Sequence, residues 1–370
     1  DDAGERCWAM VGMRDVAKEA GVSLSTVSLV VNKTGYVSDD MRARVKAAMK
    51  ELNYVPNELA RNLYKNRTNL VGVIVPTIRH PFFATLTAHL QRELAAQGLR
   101  TMLCSTADAE NGEVEYVDML RRHMMDGIIV CSHTTHPNDY WTSIHRPIVA
   151  FDRVLGGGIA SIGSDHEQGG RLMAHMLVNT GAHHVVMIGG PRDQFFDLAA
   201  RNGDSPDDFD LHKTTFPAVR YYLTLEQELK AAGVRYEYVE AGNVEDFQGH
   251  KNAVNAVLNS MPVDGVDAVV SSDIGAALCV REAMRRHISI PRDLQIIAYD
   301  GTYLTDLAGM KMTAVAQNFD KIAQVAVGNI VRAIAKEGDA KADTTSATGR
   351  KPYEPDVLIP VTLKLGDTTR

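Results

Sequence analysis

Residues 13–32 have the sequence MRDVAKEAGVSLSTVSLVVN, which predicts two short helices separated by a tight turn. Gly21 ends the first helix, because glycine readily takes the left-handed backbone conformation that such a turn requires. Ser23 is a favourable N-cap for the second helix, predicted at residues 24–31. Residues 38–53 have apolar side chains at the spacing of a third, amphipathic helix. The segment therefore predicts a small helix-turn-helix unit.

The second helix has the features of a helix that enters the major groove of DNA. Its N-terminus can hold a phosphate group through backbone N–H groups and the hydroxyls of Ser23 and Thr26. The valines and alanines are expected to face inward. The residues expected to face outward are Leu24, Ser25, Ser28 and Leu29. An ordinary helical hairpin is the alternative, and the residue pattern alone favours neither.

Composition and charge restrict the class of protein. The 370-residue chain has a formal net charge of −7, yet residues 13–68 hold ten Lys and Arg residues against six acidic ones. A small basic segment can bind DNA, whereas an acidic body repels it. The four cysteines lie far apart and form no CxxC pair, which disfavours a disulfide scaffold or zinc finger and fits a reduced, cytoplasmic setting.

From residue 70 onward, short β-branched segments alternate with helical segments. This alternation predicts parallel sheets with helices on both faces, and the number of units favours two doubly wound lobes over one small sheet. The predicted strands are 70–75, 101–104, 127–131, 148–151, 184–188, 235–239, 268–271 and 295–299. The predicted helices are 83–97, 114–124, 168–180, 223–232, 247–259, 276–287 and 319–336. Residues 192–219 and 338–352 are predicted to be irregular.

The sequence lacks the motifs of the common enzyme classes. Neither GxSxG, nor a P-loop, nor GxGxxG after a strand occurs, and the histidines show no HExxH spacing. The glycine run 156–158 is not followed by the Lys-Ser/Thr pair of a phosphate-binding loop. We therefore expect no catalytic site, no cofactor and no metal site.

The run DVAKEAGVSLSTVSLVVN, followed by AAMKELNYVPNELARNL, resembles the lactose-repressor (LacI/GalR) family of bacterial transcription regulators. The resemblance continues through NLVGVIVP, HPFF, SDHEQGG, IPRDLQIIAYDG and TAVAQNFDKIA, and it extends from residue 13 to about residue 360. The N-terminal motif is specific to this family, whereas periplasmic sugar-binding proteins share the fold behind the later motifs. The resemblance implies an all-α helix-turn-helix DNA-binding head plus an α/β core of two doubly wound parallel-sheet lobes, like that of periplasmic binding proteins.

The resemblance also implies a division of the chain into domains. Residues 1–12 are expected to be an extension, 13–55 the DNA-binding domain, 56–69 a hinge helix and linker, and 70–370 the effector-binding and dimerisation core. Within the core, the expected lobe 1 comprises about 70–165 and 300–320. The expected lobe 2 comprises about 166–299 and 321–370.

The DNA-contact positions of the family fall on the second helix and on the hinge. Leu24 and Ser25 match positions that contact base edges, whereas Leu29 stands where the family usually has arginine, which weakens direct readout. Leu63 matches a leucine that inserts into the minor groove and kinks DNA. The alternative for the second helix is a degenerate DNA-binding head, and the alternative for the hinge segment is a plain solvated tether. The expected DNA-contact residues are Ser23, Leu24, Ser25, Thr26, Ser28, Leu29, Asn32, Asn57, Ala60, Arg61 and Leu63.

Polar residues follow several predicted strands, where open α/β sheets bind ligands. Carboxylates and amides accept hydrogen bonds from sugar hydroxyls, and aromatic rings cover the apolar face of a sugar. The resemblance adds Arg220 and Gln317, although about a dozen extra residues precede Arg220 and disturb the local match. The expected effector contacts are Phe82, Phe83, Asp152, Arg153, Arg220, Ser272, Asp273, Asp300, Gln317 and Phe319. Each of them can instead be structural, and His80 is expected to be a turn residue.

These observations predict a cytoplasmic, homodimeric repressor of a sugar-utilisation operon that leaves a near-palindromic operator when a sugar binds its core. The partners are thus double-stranded operator DNA, a small-molecule effector and a second copy of the chain. No leucine heptad follows Pro360, which favours a dimer over a tetramer. Induction and corepression both remain open. The alternative is a sugar-binding, receptor-like protein with a degenerate DNA head.

Overall fold

A computed structural model describes residues 11–56, 67–107, 109, 111–132, 136, 139–195, 214–338 and 355–370. The chain divides into two compact units, residues 1–68 and residues 69–370. Most of the predicted extension and most of the predicted hinge helix lie outside the described residues. Within the described ranges, no helix combines the length and the apolar character needed to cross a membrane.

Within residues 11–56, the N-terminal unit contains three helices: α1 (Met13–Ala20), α2 (Leu24–Asn32) and α3 (Asp39–Glu51). They enclose a small core of valine and alanine side chains. The buried members are Val16, Ala17, Ala20, Val27, Val30, Val37, Val45 and Ala48. The predicted helix-turn-helix is therefore confirmed, since α1 and α2 pack on each other through the residues that were expected to face inward.

The larger unit contains two six-stranded sheets, one in each lobe. The lobe 1 strands are β1 (Leu70–Val75), β2 (Arg100–Ser105), β3 (Gly127–Val130), β4 (Ile148–Phe151), β5 (Ala160–Ser164) and β11 (Val357–Ile359), in the order β11-β5-β4-β3-β1-β2. The lobe 2 strands are β6 (His184–Gly189), β7 (Arg235–Glu240), β8 (Ala268–Ser272), β9 (Gln295–Asp300), β10 (Thr313–Ala316) and β12 (Thr362–Lys364), in the order β12-β10-β9-β8-β6-β7. The pairs are parallel except for β10 with β12, which is antiparallel.

Helices cover both faces of each sheet. The lobe 1 helices are α4 (Pro81–Ala96), α5 (Val114–Arg121) and α11 (Phe319–Gly338), and the lobe 2 helices are α6 (His166–Asn179), α7 (Arg220–Ala231), α8 (Phe247–Asp264), α9 (Asp273–Arg285) and the short α10 (Leu304–Leu307). In lobe 1, α4 and α11 bury one apolar core and α5 buries another. In lobe 2, α8 and α9 bury one core and α6 and α7 the other. The predicted doubly wound architecture is confirmed.

The predicted assignment of the C-terminal segments to the lobes is wrong. β10 pairs with β9 in lobe 2, while α11 buries Ile322, Ala326 and Ile330 in lobe 1. The chain then adds β11 to the lobe 1 sheet and returns to lobe 2 with β12. Residues 300–316 therefore belong to lobe 2, and residues 319–338 and 355–359 belong to lobe 1, because strand pairing and the apolar face of α11 decide the lobe.

Short elements account for most of the remaining differences from the sequence prediction. β5, β10, β11 and β12 were not predicted, because β11 and β12 have only three residues and β5 and β10 lack the adjacent β-branched apolar residues of the comparably short β3 and β4. The eight predicted strands all occur, with ends that differ by a single residue at most. Cys104, Cys131 and Cys279 are buried free thiols, as expected for cysteines in apolar segments.

Candidate DNA-binding helix and ligand cavity

The N-terminus of α2 presents three hydroxyl groups beside unpaired backbone N–H groups. The Ser23 side chain caps the helix by accepting a hydrogen bond from the Thr26 N–H at 3.1 Å. Its Oγ lies 2.7 Å from Ser25 Oγ and 2.9 Å from Thr26 Oγ1. Leu24 lies beside them and is 44% exposed. A helix N-terminus with hydroxyls and a positive dipole end suits contact with a phosphate group.

The turn between α1 and α2 is held from α3. Gly21 has a φ of 62°, in the left-handed region that favours glycine. The Arg44 guanidinium donates hydrogen bonds to the Ala20 carbonyl at 2.6 Å and to the Gly21 carbonyl at 2.9 Å. These bonds satisfy carbonyl groups that the end of α1 leaves unpaired. Arg44 thus stabilises the turn that orients α2.

The outward-facing set on α2 is smaller than expected. Ser25 and Leu24 are exposed, but Ser28 is half-buried and its Oγ accepts a hydrogen bond from Asn32 Nδ2 at 3.2 Å. The expectation that Leu29 is exposed is wrong, because Leu29 is half-buried and packs on the core of the head. It lies against Gly35, which leaves room because it has no Cβ.

The hinge residues that were expected to contact DNA lie outside the described residues. These residues are Asn57, Ala60, Arg61 and Leu63. Their roles stay predictions, as do those of the residues on α2.

A cavity of about 340 Å³ lies between the two lobes of the larger unit. Its wall is formed where strands of both sheets end, as expected for open α/β sheets. Six of the ten expected effector contacts line it: Phe82, Phe83, Asp152, Ser272, Asp300 and Gln317. Several lining residues were not expected, among them His166, Tyr221, Gln194, His250 and Tyr299.

A chain of polar contacts crosses the cavity from lobe 1 to lobe 2. Asp152, which follows β4, contacts His166 at the start of α6, with 3.0 Å between Oδ1 and Nε2. The other ring nitrogen, Nδ1, lies 2.7 Å from the Tyr299 hydroxyl at the end of β9. All three side chains are buried. The chain therefore connects the two lobes through groups that a ligand in the cavity would meet.

A second chain runs beside the first. The Ser164 hydroxyl at the end of β5 donates to Gln317 Oε1 at 2.5 Å, and Gln317 Nε2 donates to Asp300 Oδ1 at 2.9 Å. Burial, reinforced by the nearby Asp273, raises the pKa of Asp300 well above its usual range. Asp300 thus lines the cavity as a carboxyl group that gains from additional hydrogen-bond donors.

Two of the cavity carboxyl groups are on residues with positive φ. Asp152 has a φ of 47° and Asp300 a φ of 125°. Non-glycine residues in such conformations cost free energy and occur frequently at functional sites. The two residues with positive φ are therefore the same two carboxyl residues that take part in the chains of polar contacts.

The aromatic part of the wall comes from tyrosines rather than from the expected phenylalanines alone. Tyr221 stacks on Tyr299 with ring centroids 3.7 Å apart and an interplanar angle of 4°. Phe82 lines the cavity but also packs against Phe151 and Phe319 in the core of lobe 1. Stacked tyrosines offer both an apolar surface and hydroxyl groups to a ligand.

Four expected contacts are not part of the cavity wall: Arg153, Arg220, Asp273 and Phe319. Asp273 instead accepts hydrogen bonds from the Gly301 N–H at 3.2 Å, the Thr302 N–H at 2.7 Å and the Thr302 hydroxyl at 2.6 Å. Burial raises its pKa to about 6. The Asp273 carboxylate therefore stabilises the loop after β9, which is a structural role in place of the expected contact with the effector.

The two arginines of this group are buried close to the cavity. The Arg153 guanidinium lies over the Phe216 ring at 4.0 Å from its centroid. Arg220 is the first residue of α7, between the lining residues Val219 and Tyr221. Their predicted ligand contacts stay predictions. In the part of the chain that the structure describes, no group of three or more His, Cys, Asp or Glu side chains could hold a metal ion.

The residues that sequence reasoning missed adjoin residues that it found. Tyr299 directly precedes Asp300, and Tyr221 directly follows Arg220. His166 lies within the quoted motif SDHEQGG. The sequence could have indicated these residues only by their positions at the end of a strand or the start of a helix. Tyrosine and histidine at such positions also occur in ordinary protein cores, so the positions alone do not predict a ligand site.

Family models match most of the chain. The model described as bacterial regulatory proteins of the lacI family matches residues 12–57. The model described as periplasmic binding proteins and sugar binding domain of the LacI family matches residues 68–203. A periplasmic binding protein-like domain matches residues 174–369.

Similar proteins extend over almost the whole length. The sucrose operon repressor of Streptococcus mutans is 32% identical, with 96% of this chain and 98% of that protein covered. The ribose operon repressor of Bacillus subtilis is 33% identical over 79% of this chain and 82% of that protein. Among solved structures, the lac repressor dimer bound to operator and an anti-inducer has a TM-score of 0.75 at 21% identity, covering 97% of this chain and 98% of that one. The complex of the regulator CelR with cellobiose has a TM-score of 0.62 at 23% identity, covering 97% and 99%.

Proposed function

The chain belongs to the LacI family of bacterial regulatory proteins, and we propose that it is the ligand-responsive repressor of a sugar-utilisation operon. One observation carries this proposal: a helix-turn-helix head and a two-lobed core with a polar, aromatic-walled cavity occur in one chain. The head supplies DNA recognition and the cavity supplies the response. Family members are regulators, and we propose that this chain has no catalytic activity.

A sugar is the effector that the cavity chemistry favours. Carboxyl, amide and imidazole groups line the wall together with a tyrosine stack, which suits a ligand with many hydroxyls and an apolar face. The relatives named above are repressors of sucrose and ribose operons, and one structural neighbour holds cellobiose. We therefore place the effector among unmodified mono- and disaccharides of this kind.

The DNA partner is a near-palindromic operator bound by two copies of the chain. Exposed apolar side chains stand on and beside α10 in lobe 2, where Leu307 is 71%, Tyr303 58% and Met284 50% exposed. A second copy is the proposed occupant of this surface, because the lac repressor neighbour is described as a dimer bound to operator. A bacterial regulator of this kind acts in the cytoplasm, where the DNA is.

The ligand needs only to prefer one of two arrangements of the lobes in order to control DNA binding. The two chains of polar contacts connect the lobes and include Asp152 and Asp300, which also line the cavity. A ligand that competes for these groups changes the relative stability of the arrangements. This scheme is compatible with release from the operator on ligand binding and also with corepression. Whether the ligand weakens or strengthens DNA binding therefore has to be measured.

Selection of duplexes from a random DNA pool by the purified full-length protein tests the proposal. We expect enrichment of a palindrome, and we expect sucrose or D-ribose to change the recovery of that palindrome. Ser25→Asp is the matched control, because a carboxylate on an exposed position of α2 repels DNA without disturbing the core. Sugar binding without any enriched sequence would overturn the repressor reading and favour a receptor-like protein with a degenerate head.

A further inference from the structure

Two buried histidines line the cavity from opposite lobes and take no part in the chains of polar contacts described above. His80 stands at the N-terminus of α4 in lobe 1, and His250 lies on α8 in lobe 2. They are 4% and 5% exposed, respectively. Both belong to the wall of the cavity. Sequence reasoning expected His80 to be a turn residue and did not consider His250.

The hydrogen bond of His80 to the backbone defines the position of its proton. His80 Nδ1 lies 3.3 Å from the backbone nitrogen of Phe82 and caps the helix. A backbone N–H can only donate, so Nδ1 accepts and has no proton. The proton of the neutral ring is therefore on Nε2. Burial and the nearby His250 lower the pKa of His80 to about 3, so the ring is neutral at physiological pH.

His250 has the opposite tautomer. Its Nδ1 lies 3.0 Å from the carbonyl oxygen of Asp246, one turn earlier in the chain. A carbonyl oxygen can only accept, so Nδ1 is the protonated nitrogen. With the proton on Nδ1, Nε2 of an uncharged imidazole has a lone pair that can accept a hydrogen bond. Lobe 1 thus contributes an N–H donor to the cavity wall and lobe 2 contributes a nitrogen acceptor.

We propose that His80 and His250 form a hydroxyl-binding pair across the cavity, in which one hydroxyl of the effector accepts from His80 Nε2 and donates to His250 Nε2. This inference rests on the proposed function and adds a determinant of specificity to it. A hydroxyl is both donor and acceptor, whereas an ether or carbonyl oxygen can satisfy only His80. A site of this kind rejects a deoxy analogue, because binding the analogue leaves buried polar groups unpaired.

The pair also accounts for the presence of two imidazoles at this place. A donor in one lobe and an acceptor in the other together match a hydroxyl, which both accepts and donates. Because the donor and the acceptor belong to different lobes, the bound hydroxyl contacts both lobes at once.

A measurement of the tautomers in the ligand-free protein tests the pair without knowledge of the effector. Nitrogen-15 spectra of histidine-labelled protein at pH 7 report which ring nitrogen is protonated, and His80→Ser and His250→Phe assign the two signals. We expect His80 with its proton on Nε2 and His250 with its proton on Nδ1. The same tautomer for both, or a doubly protonated ring, overturns the pair.

Calorimetric titration with sucrose and with D-ribose tests the role in binding. His80→Ser keeps a side chain that caps the helix but is too short to reach the ligand, and His250→Phe keeps the ring shape without the acceptor. We expect each variant to weaken sugar binding by about tenfold or more. His250→Gln, whose amide can replace Nε2, should recover most of the affinity.

The double variant gives the sharpest result. If one hydroxyl bridges the two rings, His80→Ser and His250→Phe together lose less than the product of the two single losses. Unchanged affinity in both single variants, or fully independent losses, would contradict a shared hydroxyl. His145→Asn is the matched control, because His145 is exposed on lobe 1. If neither sugar binds the wild-type protein, the proposed effector class is wrong, and the tautomer measurement alone then supports or refutes the histidine pair.

Discussion

The pH dependence of stability provides the most quantitative prediction, because the His80 ring must stay neutral in the folded protein. Burial and the neighbouring His250 lower the pKa of His80 from 6.5 to about 3. In the unfolded chain the ring returns to its ordinary pKa, so between these two pH values the unfolded state binds more protons. The free energy of unfolding therefore falls as the pH decreases from 7 through this window.

Substitution of His80 by asparagine removes this contribution and keeps the helix cap, because asparagine is a favoured N-cap residue. A pH of 5 is about 1.5 units below the ordinary pKa of histidine, so keeping the buried ring neutral lowers the free energy of unfolding by about 2 kcal/mol at this pH. At pH 7 almost none of this cost applies. Burial raises the pKa of Asp273 and Asp300, so these groups favour the folded state as the pH falls. They act in both proteins and cancel in the comparison. Between pH 7 and pH 5 the wild type should therefore lose about 2 kcal/mol more than His80→Asn.

Urea unfolding followed by tryptophan fluorescence measures this difference. Trp141 is buried in a core of lobe 1, and a Trp8→Phe background makes it the single tryptophan of the chain. His145→Asn, at an exposed histidine of the same lobe, is the matched control and should follow the wild type. Equal losses of stability for the wild type and His80→Asn would refute the reasoning.

Three further predictions concern the head and the loop after β9. Gly21→Ala should destabilise the helix-turn-helix by about 1–2 kcal/mol, because Gly21 has a positive φ and an added Cβ would lie 2.8 Å from Arg44 Nη2. Hydrogen exchange in α1 and α2 measures the loss. Gly98→Ala is the comparison that separates backbone strain from side-chain contact, because Gly98 also has a positive φ but no atom lies within 4 Å of the added Cβ. Leu24→Ala should change the base preference at one position of each half-site in the duplex selection but not the affinity for random DNA; an identical motif would contradict base contact by Leu24. Asp273→Ala should lower the free energy of unfolding by about 2 kcal/mol, because three hydrogen-bond donors lose their acceptor; unchanged urea unfolding by circular dichroism would argue against this role.

The parts of the fold that sequence predicted are those that local interactions decide. Gly21 and Ser23 define the helix-turn-helix because a positive φ and a side-chain cap depend on neighbouring residues. The expected exposure of Leu29 failed for a different reason. Whether a helical leucine is exposed depends on what packs across from it, and Gly35 provides that space from a separate segment.

The path of the chain between the lobes was not predictable in the same way. β10 and β11 are only four and three residues long, and their lobe follows from pairing with β9 and β5. Such pairing is non-local, so a short segment gives no periodic signal for it. Only the long apolar face of α11 was visible in the sequence, and the sheet that it covers was not.

The same difference applies to the cavity. Asp152 and Asp300 were expected because carboxylates after strands are recognisable, and both lie in the wall. Asp273 has the same sequence signature, yet its oxygens pair with the next loop. His166 and Tyr299 were missed because their contact joins elements separated by more than a hundred residues. The residue type indicates a polar site, but only the tertiary arrangement shows which oxygen or nitrogen remains for a ligand.

The crossings between the lobes explain how a ligand can act on the whole core. Besides the return from β11 to β12, the chain crosses between β5 and α6, from Ser164 to His166, and between β10 and α11, where Gln317 lies. Each of these side chains is part of a chain of polar contacts that ends on Asp152 or Asp300. A ligand that contacts these carboxyl groups would therefore meet the segments that connect the lobes. Because Asp152, Asp300 and Gln317 line the cavity and also take part in contacts between the lobes, a ligand that prefers one of two lobe arrangements would need no separate transmitting pathway.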